Sequence, residues 1–319
     1  MRNYFQFLLV LLFFISCQKE TQNNIDISNI EANFKVFRFE QDFYTNKGQN
    51  LVELKENFPL LFPDETPDSI WIAKINNSDE QELFQETQKK YNSLLHIEDE
   101  LSKLFKHIKH YNPTFLAPDV ITILSNIDYT YRTIYTDNLL FISLDVYLGD
   151  DHPFYSDYPS YIRKNNTDER IVVDVASNII NSTISFSNNR SFLAKMIHEG
   201  KKMYLLDLYL PSKLDPIKIG YPKDKFDWAT MNEEQVWRYF IENDLLYSTD
   251  TQLNKRFIEN APFSKFYLSE DTKSPGRIGQ WIGWQIVRSY MVNNDVSLQD
   301  LLSMNEEEIF KNSKYKPRK

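Results

Sequence analysis

The first long apolar run of the chain extends almost without interruption from Tyr4 to Ile15 and is preceded by one basic residue, Arg2. As a helix, this run would span only about 18 Å at roughly 1.5 Å per residue, well short of the roughly 30 Å hydrocarbon core of a membrane. A basic residue, a short apolar run and a small residue at its end are typical of a secretory signal. Residues 1–16 are therefore predicted to be a signal peptide that is removed.

Polar residues dominate positions 17–30, which predicts a flexible tether. Apolar and polar residues then alternate over 34–39, which predicts a strand. Two later runs, 119–124 and 138–144, are rich in β-branched and aromatic side chains and predict two more strands. The sheet is therefore expected to be small.

Elsewhere apolar residues recur at helical spacing. The segment 79–111 predicts one long or two consecutive helices, ended by Pro113. Further helices are predicted near residues 168–182, 190–210, 231–246, 250–260, 274–292 and 304–312. This order favours a mostly helical α+β fold with helices packed on one small sheet. No strong linker is present, so residues 31–319 are predicted to form a single globular domain.

Charge and composition exclude some classes of function. The chain has 36 Lys and Arg against 45 Asp and Glu, which gives a net charge of −9. This balance argues against nucleic acid and anionic membrane surfaces as direct partners. Apolar residues make up 42% of the chain, enough for a sizeable core without disulfides.

Cys17 is the only cysteine of the 319 residues, so no internal disulfide can form. It ends the stretch Phe14-Ile15-Ser16-Cys17, which resembles a lipobox with Phe14 where Leu is usual. Lipid attachment is therefore predicted at Cys17. Each buried methylene contributes about 0.8 kcal/mol, so two or three acyl chains would hold the protein in a membrane outside the cytoplasm.

Three of the seven glycines, Gly276, Gly279 and Gly283, lie in one predicted helix that opens with Ser274-Pro275. Ser is a good cap and Pro a good first helical residue. The three- and four-residue spacing places these glycines along one helix face. Each Gly costs about 1 kcal/mol relative to Ala, so a close approach of another element is expected there.

The candidate chemistry lies in the helix predicted over 190–210. His198-Glu199 is followed by Lys202, one substitution from the zinc-binding pattern His-Glu-x-x-His. A lysine ammonium has no lone pair to ligate zinc, and its charge repels a cation. We therefore expect no metal, no cofactor and no catalytic residue. The alternative is a metal-dependent peptidase in which Glu199 is the general base and His198 holds the metal with downstream carboxylates. The candidate carboxylates are Asp207, Glu233, Glu234 and Glu242.

Three stretches carry a family resemblance: 142–149, 196–204 and 276–284. With them the chain resembles the gliding motility lipoprotein GldB family of the Bacteroidota. This family is distantly similar to predicted zinc-dependent peptidases that have the full His-Glu-x-x-His. The resemblance covers most of residues 17–319, in order along the chain.

The resemblance implies a zincin-like helical arrangement and a cell-envelope component of the gliding machinery, associated with type IX secretion, without catalytic activity of its own. Its partners would be the membrane and other envelope proteins. In the peptidase relatives a Gly-rich helix lies near the metal-binding helix, so Gly279 and Gly283 are expected beside Gly200, with Asp207 as a further supporting position. Gln18-Lys19-Glu20 is similar to a short surface-export signal, which leaves the choice of membrane leaflet open.

Overall fold

The computed structural model describes residues 25–136, 138–185 and 188–319. The predicted signal peptide, Cys17 and residues 18–24 of the predicted tether lie outside the described residues. Residues 25–30 of that tether form neither a helix nor a strand.

Helices account for most of the described chain. Their bounds are α1 Phe39–Thr45, α2 Leu51–Asn57, α3 Asp68–Ile75, α4 Ser78–Lys90, α5 Leu95–Tyr111, α6 Ser160–Arg163, α7 Ile171–Thr183, α8 Phe192–Tyr209, α9 Asp215–Ile219, α10 Lys223–Met231, α11 Glu233–Glu242, α12 Gln252–Phe257, α13 Ile278–Asn293, α14 Leu298–Ser303 and α15 Glu306–Ser313.

Four strands form one mixed sheet in the order β1-β2-β4-β3. Their bounds are β1 Val36–Phe37, β2 Asp119–Ile123, β3 Thr133–Tyr135 and β4 Leu139–Ser143. The strands β1, β2 and β4 run parallel, and β3 pairs antiparallel with β4. The predicted α+β, mostly helical fold is confirmed.

The predicted elements differ from the observed ones at two informative places. The first strand has only two residues, because the chain turns into α1 at Phe39. The Gly-rich helix begins at Ile278, so the prediction that Ser274 caps it was wrong. The Ser274 hydroxyl instead donates to the backbone carbonyl of Ser264 at 3.2 Å. Gly276 therefore lies before the helix and not on its face.

The main hydrophobic core surrounds α7, α8 and α13. Of all pairs of elements in the described ranges, α8 and α13 make the most extensive contact. A second, smaller cluster lies among α1, α2 and α3; its buried members are Phe43, Tyr44, Leu51, Leu54, Phe62 and Ile75. The central helix pair therefore positions the predicted site residues.

Within the described ranges, no helix combines the length and apolar character needed to cross a bilayer.

Candidate functional site

The helices α8 and α13 touch backbone to backbone at their glycines. A Cβ atom added to Gly200 would lie 2.2 Å from the carbonyl oxygen of Gly283. A Cβ added to Gly283 would lie 1.7 Å from the carbonyl oxygen of Met196, and one on Gly279 would lie 2.9 Å from that of Phe257. The structure thus brings Gly200 and Gly283 into direct contact, whereas Gly279, one turn earlier along α13, faces Met196 of α8 and the end of α12. No side chain larger than hydrogen fits at the crossing.

Helix α8 is buried on most sides, and the His-Glu-x-x-Lys residues form a half-buried polar stripe along it. Its first residue is preceded by Ser191, whose hydroxyl accepts a hydrogen bond from the Ala194 amide, a good helix cap. One turn apart on the stripe, the ammonium of Lys202 donates to the Glu199 carboxylate at 2.8 Å. Both side chains are only about a fifth exposed, at 23% and 22%. This ion pair occupies the part of the helix where a second imidazole would be needed for a metal.

The imidazole of His198 lies beside this ion pair. Burial, followed by the positive charge of Lys202, lowers the pKa of His198 below its ordinary value of 6.5, although Glu199 and Glu306 oppose the shift. The ring is therefore neutral at physiological pH. None of the described residues forms a hydrogen bond with it, so its nitrogens are not fixed by a second group in the way typical of metal-ligating histidines.

Lys201, one turn beyond His198, is the most buried charged residue of α8, with 3% exposure. Its ammonium donates to the carbonyl oxygen of Met304 at 2.7 Å, and lies 3.4 Å from both the Leu302 carbonyl and the Glu306 carboxylate. Burial lowers the pKa of Lys201 below its ordinary value, although the negative charge of Glu306 partly opposes this shift. The contact fixes the junction of α14 and α15 against α8, a structural role that was not predicted from the sequence.

Asp207 lies five residues, about one and a half turns, beyond Lys202 on α8 and belongs to a different cluster. One of its oxygens accepts from Lys218 at 2.8 Å and from Arg288 at 2.7 Å, and the other accepts from the indole of Trp284 at 2.8 Å. Arg288 also makes a two-pronged ion pair with Asp215 at 2.7 and 2.8 Å. This cluster ties α8, α9 and α13 together. Its hydrogen bonds are of the strong, charge-assisted kind.

Three of the four carboxylates considered as further metal ligands are engaged elsewhere, and the fourth, Glu242, is exposed on the surface. Glu233 is buried and accepts from the hydroxyl of Tyr315 at 2.9 Å, and Glu234 accepts from Arg238 at 3.2 Å on the surface. Across 25–136, 138–185 and 188–319, no group of three or more His, Cys, Asp or Glu side chains could hold a metal ion. His198 and Glu199 therefore stand without further acidic or imidazole ligands from the described residues.

One sequence signal pointed to the Asp207 cluster. Arg288 is the only charged residue in the whole of α13. A single charge in an otherwise apolar, buried helix requires a partner, because an unpaired buried charge is costly. The sequence does not say which of the many carboxylates supplies the partner.

The fold and the site define a mostly helical α+β protein in which Lys202 pairs with Glu199 beside His198 on the central helix α8. The model of the gliding motility protein GldB family matches residues 20–317, and the chain therefore belongs to that family and is related to gliding motility. The resemblance seen in the sequence is confirmed by this match. No curated protein and no solved structure shows significant similarity to the chain.

Proposed function

We propose that the protein is a non-enzymatic, lipid-anchored component of the cell-envelope gliding machinery associated with type IX secretion. In this proposal the lipid is attached at Cys17, and the His198, Glu199 and Lys202 positions are a degenerate metallopeptidase site. Membership of the gliding motility family supports the general role. The observation that carries the absence of catalysis is the ion pair between Lys202 and Glu199.

The ion pair opposes metal-dependent hydrolysis in two ways. The ammonium of Lys202 lies 2.8 Å from the carboxylate of Glu199, the group that would have to take a proton from metal-bound water. The same ammonium places a positive charge beside His198, where a zinc ion would have to bind. A fixed cation therefore takes the electrostatic place of a metal ion and keeps the polar stripe neutral overall.

The first prediction concerns zinc content. The purified protein, dialysed against zinc and then desalted, is expected to retain far less than one zinc per chain by elemental analysis. Lys202→His restores two imidazoles one helical turn apart and removes the repelling charge, so it is expected to bind zinc at least about tenfold more tightly. Lys195→Gln removes a lysine elsewhere on the same helix and is the matched control. One tightly held zinc per wild-type chain would overturn the proposal.

The alternative, a metal-dependent peptidase that uses His198 and Glu199, makes the opposite prediction in cells. In it, Glu199→Gln abolishes function while leaving the fold intact. Under our proposal, a strain lacking the gene regains surface movement when it expresses the Glu199→Gln protein at wild-type abundance. Loss of movement at normal abundance, together with chelator-sensitive proteolysis by the wild-type protein, would favour the peptidase.

The lipid anchor is tested separately. Cys17→Ala is expected to abolish incorporation of labelled palmitate and to release the protein from the membrane fraction, because the anchor supplies nearly all of the membrane affinity. Ser16→Ala keeps a small residue before the cysteine and is expected to leave labelling unchanged. If the Cys17→Ala protein still incorporates labelled palmitate and still sediments with membranes, another residue carries the lipid.

A further inference from the structure

A pocket of about 460 Å³ lies at the start of α13, away from the glycine crossing. Its wall is formed by residues 159–161 with 164, 220–222 with 224 and 225, 260–262, and 275–277. The volume lies within the range of pockets that bind small molecules. Residues 276 and 277 belong to one of the stretches that carry the family resemblance, and the proposed function assigns no role to this pocket.

Arg277 is the one arginine among the described residues that line this pocket. Its Nη2 atom donates to the carbonyl oxygen of Ile219 at 2.7 Å, and the ring of Tyr221 lies 5.7 Å away. No carboxylate of the described residues makes an ion pair with Arg277; Asp174 and Glu199 attract its charge only from a distance. Burial lowers the pKa of Arg277. Arg277 is half-buried, and a partly desolvated cation with no adjacent anion is unfavourable, so an incoming anion would offset that cost.

The backbone holds Arg277 in a strained conformation. Its φ of 57° and ψ of 29° lie in the left-handed region, which costs a non-glycine residue about 1 kcal/mol or more. The neighbours on both sides are fixed: the amide of Ile278 donates to the Ser264 hydroxyl at 3.3 Å, and the Tyr221 hydroxyl donates to the Gly276 carbonyl at 2.5 Å. Strain maintained by such contacts is typical of positions with a binding role.

The two lysines of the wall already have hydrogen-bond acceptors, and its carboxylate would repel an anion. Lys164 donates to Asp150 at 2.6 Å, and Lys225 donates to the carbonyl of Thr272 at 2.7 Å. Asp224 is the only carboxylate on the wall among the described residues. Arg277 is thus the cation of the wall with the most unused hydrogen-bond donors. The lining also includes the rings of two tyrosines and four prolines; these are Tyr161, Tyr221, Pro159, Pro222, Pro262 and Pro275.

We propose that this pocket binds a small carboxylate ligand carried on an apolar or aromatic body, with the carboxylate on the Arg277 guanidinium. The planar guanidinium pairs with a carboxylate through two parallel hydrogen bonds, which gives both affinity and orientation. Phosphate has similar geometry, but it would leave the rings of the wall without a contact. The ligand class therefore follows from one cation without an ion-pair partner and from the tyrosine and proline rings of the same wall.

The test is a calorimetric titration of the mature protein with N-acetyl-phenylalanine, with its neutral amide and with inorganic phosphate. The acid is expected to bind saturably, with the amide and phosphate each weaker by roughly tenfold or more, since a hydrogen bond to a charged group is worth at least that ratio. Equal binding of acid and amide, tighter binding of phosphate, or no saturable binding of the acid would each overturn the proposal.

Two variants test whether the acid binds at Arg277. Arg277→Gly removes the guanidinium and also relieves the left-handed backbone, so the variant should fold while affinity for the acid falls roughly tenfold or more. Arg256→Gln is the control, because its guanidinium stacks on Phe257 and Tyr267 outside the pocket and its loss should leave affinity unchanged. Unchanged affinity in Arg277→Gly would also overturn the proposal. The acid-against-amide comparison on the wild-type protein stands even if that variant does not fold.

Discussion

Replacing Gly283 with alanine is expected to lower the free energy of unfolding by at least about 3 kcal/mol, the upper part of the range for overpacked cores. The added methyl would lie 1.7 Å from the carbonyl oxygen of Met196, and that oxygen belongs to a helix backbone that cannot move alone. Helices α8 and α13 would have to separate, which would also disturb the contact at Gly200. The measurement is chemical denaturation followed by circular dichroism.

The direction of the stability change in Gly283→Ala distinguishes a tight helix crossing from an ordinary helix position. In a helix without close contacts, replacing Gly with Ala is stabilising by about 1 kcal/mol. Val292→Ala is the matched control on the same helix, because Val292 is 78% exposed and its truncation should change stability by less than about 0.5 kcal/mol. A Gly283→Ala protein as stable as the wild type would show that the two helices do not cross as described.

Replacing Arg288 with methionine is expected to cost about 3 kcal/mol near neutral pH. The substitution keeps much of the side-chain length but leaves Asp207 and Asp215 with Lys218 as their only cation of this cluster, at 2.8 and 3.8 Å. Removing one partner from a largely buried ionic cluster is strongly destabilising because the remaining charges stay desolvated. The stacking of the guanidinium on the Trp284 ring, 3.8 Å from its centre, is lost as well.

The stability loss in Arg288→Met is expected to depend on pH because of the Asp215 carboxyl group. Burial by itself raises the pKa of Asp215, but the hydrogen bonds and charge of Arg288 more than offset burial, and the net pKa lies below the ordinary 3.8. A lowered carboxylate pKa gives stability that is present above 3.8 and is lost as the pH falls through the folded-state value. The gap between wild type and Arg288→Met should therefore be widest near pH 7 and narrow below pH 4.

The control for Arg288→Met is Arg238→Met. Arg238 pairs with Glu234 at 3.2 Å and is 58% exposed, so its loss should cost less than about 1 kcal/mol at any of these pH values. A pH-independent loss in Arg288→Met would mean that packing, and not the charge cluster, accounts for the effect.

The long, strongly amphipathic segments could be predicted from the sequence. The segment 79–111 does form two consecutive helices, α4 and α5, and the helix predicted over 190–210 is α8. The short helices α1, α2, α3, α9 and α10 were not predicted, because segments of five to nine residues carry too few periodic positions to distinguish a helix from a loop. Tertiary contacts decide their conformation.

The site was predictable in its parts but not in its assembly. The substitution at Lys202 and the glycine spacing can be read from the residues alone. The partners of Asp207 could not be predicted from the sequence, because the main one is Arg288, 81 positions further along the chain. The left-handed backbone of Arg277 was equally hidden, since Arg is an unusual residue for that conformation and the local sequence predicts an ordinary helix start there.

Residues 31–37 determine which part of the fold would first bear a force applied to the N-terminal end of the described chain. Only Val36 and Phe37 pair with β2, but upstream the Phe34 ring packs on Phe105 and the Glu31 carbonyl accepts from Lys109, both on α5. A pull along the chain would therefore load α5 before it reached the edge of the sheet. Under the proposed lipid anchor at Cys17, such a force would first act on the contacts of residues 31–34 with α5, and α5 in turn packs directly on α7 and α8.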